Sequence, residues 1–153
     1  MNIDASSHYQ CTAEELFHNV RKTKTLNYVS YPLLRFKAKE PDSLPDIWEE
    51  KTYWVSMYLF GFIPIGKQAI VITYPTKGED GKYAIRDNGF SPSIKKWDHT
   101  LTIKPEENGC LYHDHMELDA GLLTPITGAF ARYFYKHRQR RINKLIENNF
   151  DFS

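Results

Sequence analysis

Cysteine is almost missing from this chain. Cys11 and Cys110 are the only two in 153 residues, too few for a disulfide framework and without the spacing of a thiolate metal site. No stretch approaches the roughly 20 apolar residues that cross a bilayer. Met1 to Ser7 lacks the basic segment followed by an apolar run that marks a secretory leader. A surplus of one charge sign is absent too: the net charge of +1 gives no general pull toward nucleic acid. There is no Gly-x-Ser-x-Gly elbow for a nucleophilic serine, and the Gly61 to Gly66 segment leads into a strand rather than the helix a phosphate loop requires. What remains is one domain over residues 1–153. The expected setting is the cytoplasm, with reduced thiols and no cofactor, resident metal, nucleic-acid partner or stable membrane insertion.

Aromatic residues are plentiful, with 10 Tyr and 9 Phe. Such rings fill cores and also line pockets. The longest coherent pattern runs from Gly121 to Asn149 and predicts one long helix. At about 100° per residue, Leu123, Ile126, Thr127, Phe130, Phe134, His137, Arg138, Arg141 and Leu145 fall on one stripe. Arg132, Lys136, Gln139, Arg140 and Asn143 lie on the opposite, polar face. A helix apolar on one side needs an apolar cover. The cover is expected from an antiparallel sheet curved around the helix, because the preceding chain is mostly strand-like.

Ser7 to Cys11 is a short strand candidate. Thr12 with Glu15 forms a capping box that opens a helix through Val20, and Thr25 to Tyr31 holds a further helical turn or two before Pro32. Leu33 to Phe36 reads as briefly extended, and Lys37 to Asp46 as a proline-bearing surface loop. Trp48 to Phe60 is a strand apolar on both sides, Gly61 to Gly66 an apolar connection, and Lys67 to Tyr74 a second strand. Pro75 to Lys82 is a turn, and Tyr83 to Asp87 a strand. In Ile94 to Ile103, Trp97, His99, Leu101 and Ile103 share a face. In Cys110 to Asp119, Tyr112, Asp114, Met116 and Leu118 do the same.

The element order is a strand, one or two short helices, about five or six more strands, and a long helix. That order comes with Trp97-Asp98-His99, Asp114-x-x-Glu117, Gly121-Leu122-Leu123-Thr124-Pro125 and an entry segment Cys11-Thr12-Ala13-Glu14-Glu15-Leu16-Phe17. Over nearly its whole length the chain resembles the SRPBCC superfamily, also called START-like or Bet v 1-like, which includes polyketide cyclases and dehydrases as well as lipid-transport proteins. The resemblance implies an α+β helix-grip fold, with a curved antiparallel sheet of six or seven strands wrapped around the C-terminal helix and enclosing a cavity. It also implies that the first strand pairs with the last, which would make Cys11 and Cys110 neighbours.

Fold leaves chemistry open. His113-x-His115 places two imidazoles on one strand face, but no third metal ligand is evident and a solvated outer pair is the reading. His99 and Asp114 sit at inward positions of adjoining strands. A buried carboxylate needs a partner, and His99 or Arg138 is the expected one. The pair then serves as a structural hydrogen bond, a polar anchor for a ligand, or an acid/base couple.

Two functions follow. One is a carrier or sensor that holds a hydrophobic small molecule or lipid among Trp54, Tyr58, Trp97, His99, Asp114, Met116, Phe130 and Phe134. The other is a cyclase or dehydratase acting in the same cavity. A scaffold with a filled core would show no cavity at all.

Overall fold

The computed structural model describes residues 1–153. Strand β1 (Asn2–Tyr9) is followed by helices α1 (Ala13–Val20) and α2 (Thr23–Ser30). Strands β2 (Leu34–Glu40), β3 (Thr52–Leu59), β4 (Ile63–Lys77), β5 (Tyr83–Gly89), β6 (Lys96–Glu106) and β7 (Gly109–Asp119) come next, and helix α3 (Thr124–Glu147) closes the chain. The strands form one antiparallel sheet in the order β1-β7-β6-β5-β4-β3-β2. This is the helix-grip α+β architecture. Register shifts at Lys39 in β2 and at Ile65 and between Thr73 and Thr76 in β4 mark the irregularities of the sheet, and bulges of this kind bend strands.

Thr12 caps α1 by accepting from the Glu15 amide at 3.0 Å, as the Thr-x-x-Glu spacing predicts. β1 begins five residues earlier than the sequence indicates and pairs with β7 along its whole length, Tyr9 standing opposite Cys110. Both cysteines are free, and they stand close enough that each shifts the other's titration, Cys11 upward and Cys110 downward. Gly109, at φ 149°, lies so close to the Tyr9 carbonyl that a Cβ there would collide with backbone. β2 extends into the expected surface loop, since an edge strand tolerates Lys37, Lys39 and Glu40. The β3–β4 connection is shorter than Gly61 to Gly66, because pairing resumes with Leu59 opposite Ile63. Lys67 follows Gly66 in the spacing of a phosphate loop, but Gln68 stands where the hydroxyl residue would, and the segment is strand rather than helix.

Two apolar clusters make the core. The larger gathers Leu16, Phe17, Tyr53, Val55, Ile72, Ile103, Tyr112 and Ile142; the smaller gathers Ile3, Met116, Leu118, Phe134 and Tyr135. α3 packs on β1, β7 and α2.

The phase of α3 differs from expectation. Phe134 and Leu145 are buried, as expected, whereas Leu123 and Ile126 are exposed, and Ala131, Tyr135, Gln139 and Ile142 are buried in their place. The covered face lies roughly a quarter-turn from the predicted stripe at 100° per residue. The cause is that Ile126, Thr127 and Phe130 face a cavity rather than a packed sheet, so the apolar stripe and the covered stripe are not the same.

Candidate functional site

A cavity of about 400 Å³ lies between α3, α2 and the middle strands. Of its 26 lining residues 20 are hydrophobic, so a ligand would meet mostly carbon. The lining residues that are also exposed are Ile65 and Ile126, which places the mouth between the start of β4 and the start of α3. Phe62, Leu122 and Leu123 stand exposed in the same two segments.

Alternation on β6 turns Trp97, His99 and Leu101 into this space, joined by Ile85 and Asp87 from β5 and Ile70 and Ile72 from β4. Phe130 and Phe134 approach from α3, their rings stacked at 5.9 Å. Trp97, His99, Phe130 and Phe134 therefore line the cavity. Trp54 and Tyr58 do not. Tyr53, Val55, Met57 and Leu59 hold the inward positions of β3, and Trp54 meets Phe90 edge-on at 5.6 Å instead. β3 is apolar on both sides, so alternation could not set its phase. Met116 is fully buried in the smaller core cluster, and Asp114 lies behind the cavity wall.

Asp114 is held by three donors. His99 Nε2 is 2.7 Å from Oδ1, the Tyr112 hydroxyl donates to Oδ1 at 3.0 Å, and the Gln139 amide donates to Oδ2 at 2.9 Å. Burial alone would raise the Asp114 pKa, but the hydrogen bond and charge of His99, with Arg138 and Gln139, outweigh it and hold the carboxyl below its ordinary value. Burial pushes His99 down against the pull of Asp114. The consistent state is a neutral imidazole donating from Nε2 to a carboxylate, which leaves Nδ1 as an acceptor. The His99 ring also stacks on Tyr135 at 4.7 Å. The hydropathy pattern puts Gln139 on the polar helix face; it instead joins Asp114 to Ser7 and to the Ala5 carbonyl.

Asp87 is a site residue that sequence reasoning missed. It stands opposite His99 in the β5–β6 ladder and borders the cavity. Oδ1 accepts from the Val71 amide at 2.9 Å, yet burial pushes the carboxyl up to about 7. Gln68 comes close by: a Cβ on Gly89 would lie 3.0 Å from Asp87 Oδ1 and 3.2 Å from Gln68 Nε2. Alternation with Ile85 was the signal that could have placed Asp87 inward.

On the outer face Asp4 supplies what the His113-x-His115 pair lacked. Its Oδ1 lies 2.9 Å from His113 Nε2 and 2.7 Å from His115 Nδ1, and the three potential ligand atoms fall within 4.8 Å of one another. Pairing of β1 with β7 brings Asp4 opposite His115, a meeting that local spacing does not reveal.

Residues 7–146 match the family model described as Domain of unknown function (DUF8410). The chain belongs to the DUF8410 family. This DUF8410 domain has the fold of solved START-like proteins. A protein from Chromobacterium violaceum superposes with a TM-score of 0.67 at 14% identity, covering 95% of this chain and 96% of that one. A START superfamily protein from Mycobacterium smegmatis gives 0.62 at 12% identity over 96% and 97%. Ara h 8.0201 gives 0.62 at 8% identity over 96% and 98%. The sequence matches none of the curated proteins. No helix of the chain is long and apolar enough to cross a membrane.

Proposed function

We propose that this protein binds a hydrophobic small molecule or lipid in the cavity between sheet and C-terminal helix, as a cytoplasmic carrier or sensor. The observation that carries this reading is the cavity of about 400 Å³, 20 of whose 26 lining residues are hydrophobic. That volume and lining suit a small organic ligand, and the mouth at Ile65 and Ile126 gives it a way in. Trp97, His99, Phe130 and Phe134 are the contacts assigned to the ligand. Small molecules extracted from the purified protein and identified by mass spectrometry test the proposal. A reproducible apolar or amphipathic ligand supports it, and a protein that neither retains nor takes up such compounds refutes it.

The His99–Asp114 bond favours a second reading, a cyclase- or dehydratase-like enzyme. The carboxylate fixes the tautomer, and an imidazole so oriented with Nδ1 free has the arrangement of a general base and its orienting group. Turnover of a polyketide-like substrate that disappears in His99→Gln, with binding retained, would distinguish it from carriage.

A further inference from the structure

The wall of the cavity carries a cation with no direct ion-pair partner. Arg138 faces the interior from α3, its Nε is buried without a hydrogen-bond partner, and no carboxylate lies within ion-pair distance of it. Arg21 also has a buried, partnerless Nε, but its other end reaches His18 Nδ1 at 3.5 Å. The guanidinium of Arg138 lies 5.4 Å from the Tyr135 ring centre and 5.8 Å from that of Phe134. Rings attract a cation through their faces but do not accept its in-plane N–H groups, of which arginine has five. A charge left so in an apolar interior is costly unless paired.

We infer that the cavity ligand is an amphiphile whose carboxylate head pairs with Arg138 while its apolar body lies toward Phe130 and the Ile65–Ile126 mouth. This rests on the cavity-binding reading above and names the ligand class. A planar carboxylate fits the guanidinium fork with two parallel hydrogen bonds. A dianionic phosphate fits less well, because Arg138 is the only cation among the lining residues and the carboxyls of Asp87 and Asp114 lie in its field. Asp87, pushed up to about 7 by burial, is about half protonated at neutral pH, and in that form it donates to a bound carboxylate instead of repelling it. Gln68, buried and bordering the same space, offers an amide to the other side of the head.

The test uses the whole chain, freed of co-purifying ligand, titrated near neutral pH with decanoate and with 1-decanol, which share a tail and differ in the head. Calorimetry should show decanoate binding about tenfold or more tightly than decanol, a gap of about 1.4 kcal/mol. Arg138→Met should bring the two affinities within about threefold by weakening decanoate alone, and Arg138→Lys should keep part of the gap, since lysine binds anions as a point charge. The empty Arg138→Met protein should still fold, because Asp114 keeps its three hydrogen-bond donors and methionine can pack against the same rings. Equal affinities in the wild type overturn the carboxylate assignment and leave cavity binding standing. Failure to bind either compound overturns both. Loss of decanol binding or of folding in Arg138→Met makes the arginine a structural element and overturns the assignment.

Discussion

Gln139 reaches across the interior to Asp114, its amide nitrogen 2.9 Å from Oδ2 and equally 2.9 Å from the Ala5 carbonyl. One side chain of α3 thus satisfies an ionised acid on β7 and a backbone acceptor on β1, while its own oxygen accepts from Ser7 at 2.6 Å. Gln139→Leu keeps the approximate volume and strips all three partners, so it should cost about 2–3 kcal/mol in urea unfolding, the usual penalty for leaving buried polar groups unpaired. Wild-type stability in that variant would mean that Asp114 is held adequately by His99 and Tyr112.

His99→Ala removes the donor closest to Asp114. The loss should be about 3 kcal/mol at neutral pH, near the lower end for breaking a buried pair because Tyr112 and Gln139 remain. The pH dependence has a definite sign. His99 is lowered below 6.5, so stability falls as pH drops below 6.5, where the unfolded chain takes up a proton before the native imidazole does. Asp114 is lowered below 3.8 and contributes stability that is lost as pH falls through its native pKa. Wild-type unfolding curves from neutral to acid pH should show both losses, and His99→Ala should lack the first. A ligand anchored on His99 would also bind more weakly to the variant, which a purely structural pair would not cause.

These contacts were unevenly legible in the sequence. β6 and β7 each have one apolar face, so Trp97, His99 and Asp114 could be assigned inward positions from alternation alone. β3 carries Tyr53, Trp54, Val55, Met57 and Tyr58 in near succession, and a strand apolar on both faces gives no phase, so the sequence does not reveal that Met57 and Leu59 rather than Trp54 and Tyr58 line the cavity. The helix misled in a different way. Its apolar stripe at Ile126 and Phe130 is real, but it faces a void, while Gln139 is buried by a hydrogen-bond network that no hydropathy pattern records. Asp4 and Asp87 acquire their roles through strand pairing, which only the tertiary fold supplies.

Phe134 is 2% exposed, stacked on Phe130 and edge-on to Tyr135 at 5.5 Å. Truncation of such a ring in a packed core costs about 3–5 kcal/mol. Because Phe134 also borders the cavity, part of its surface has no packing to lose, and Phe134→Ala should cost about 3 kcal/mol, the low end of that range, while enlarging the cavity. Chemical denaturation checks the first figure. A loss under about 1 kcal/mol would place the ring on the cavity surface rather than in the core.

Asp87→Asn isolates the one cavity acid whose pKa is raised. The ordinary value is 3.8 and the native value about 7, so between these limits the native state holds a proton that the unfolded chain lacks. Stability from this group is therefore complete below about pH 3.8 and declines as pH rises toward and past 7. The carboxyl is faced by the Val71 amide from β4, His99 from β6 and Arg138 from α3, while Asp98, paired with Arg86 on the other side of β6, acts on it only through its charge. Of these, Val71 and Arg138 favour the charged form and burial outweighs them. Asparagine can still accept from the Val71 amide and never ionises. The variant should match the wild type near pH 4 and exceed it at about pH 8 by about 2–4 kcal/mol, because a tenfold change in a proton-binding constant between the folded and unfolded chain is worth about 1.4 kcal/mol. Taking the difference between the two proteins cancels the acid losses from His99 and Asp114, which both share. Urea unfolding at several pH values gives the curve, and a difference that stays flat from acid to alkaline pH would show that Asp87 ionises in the folded protein as it does in water.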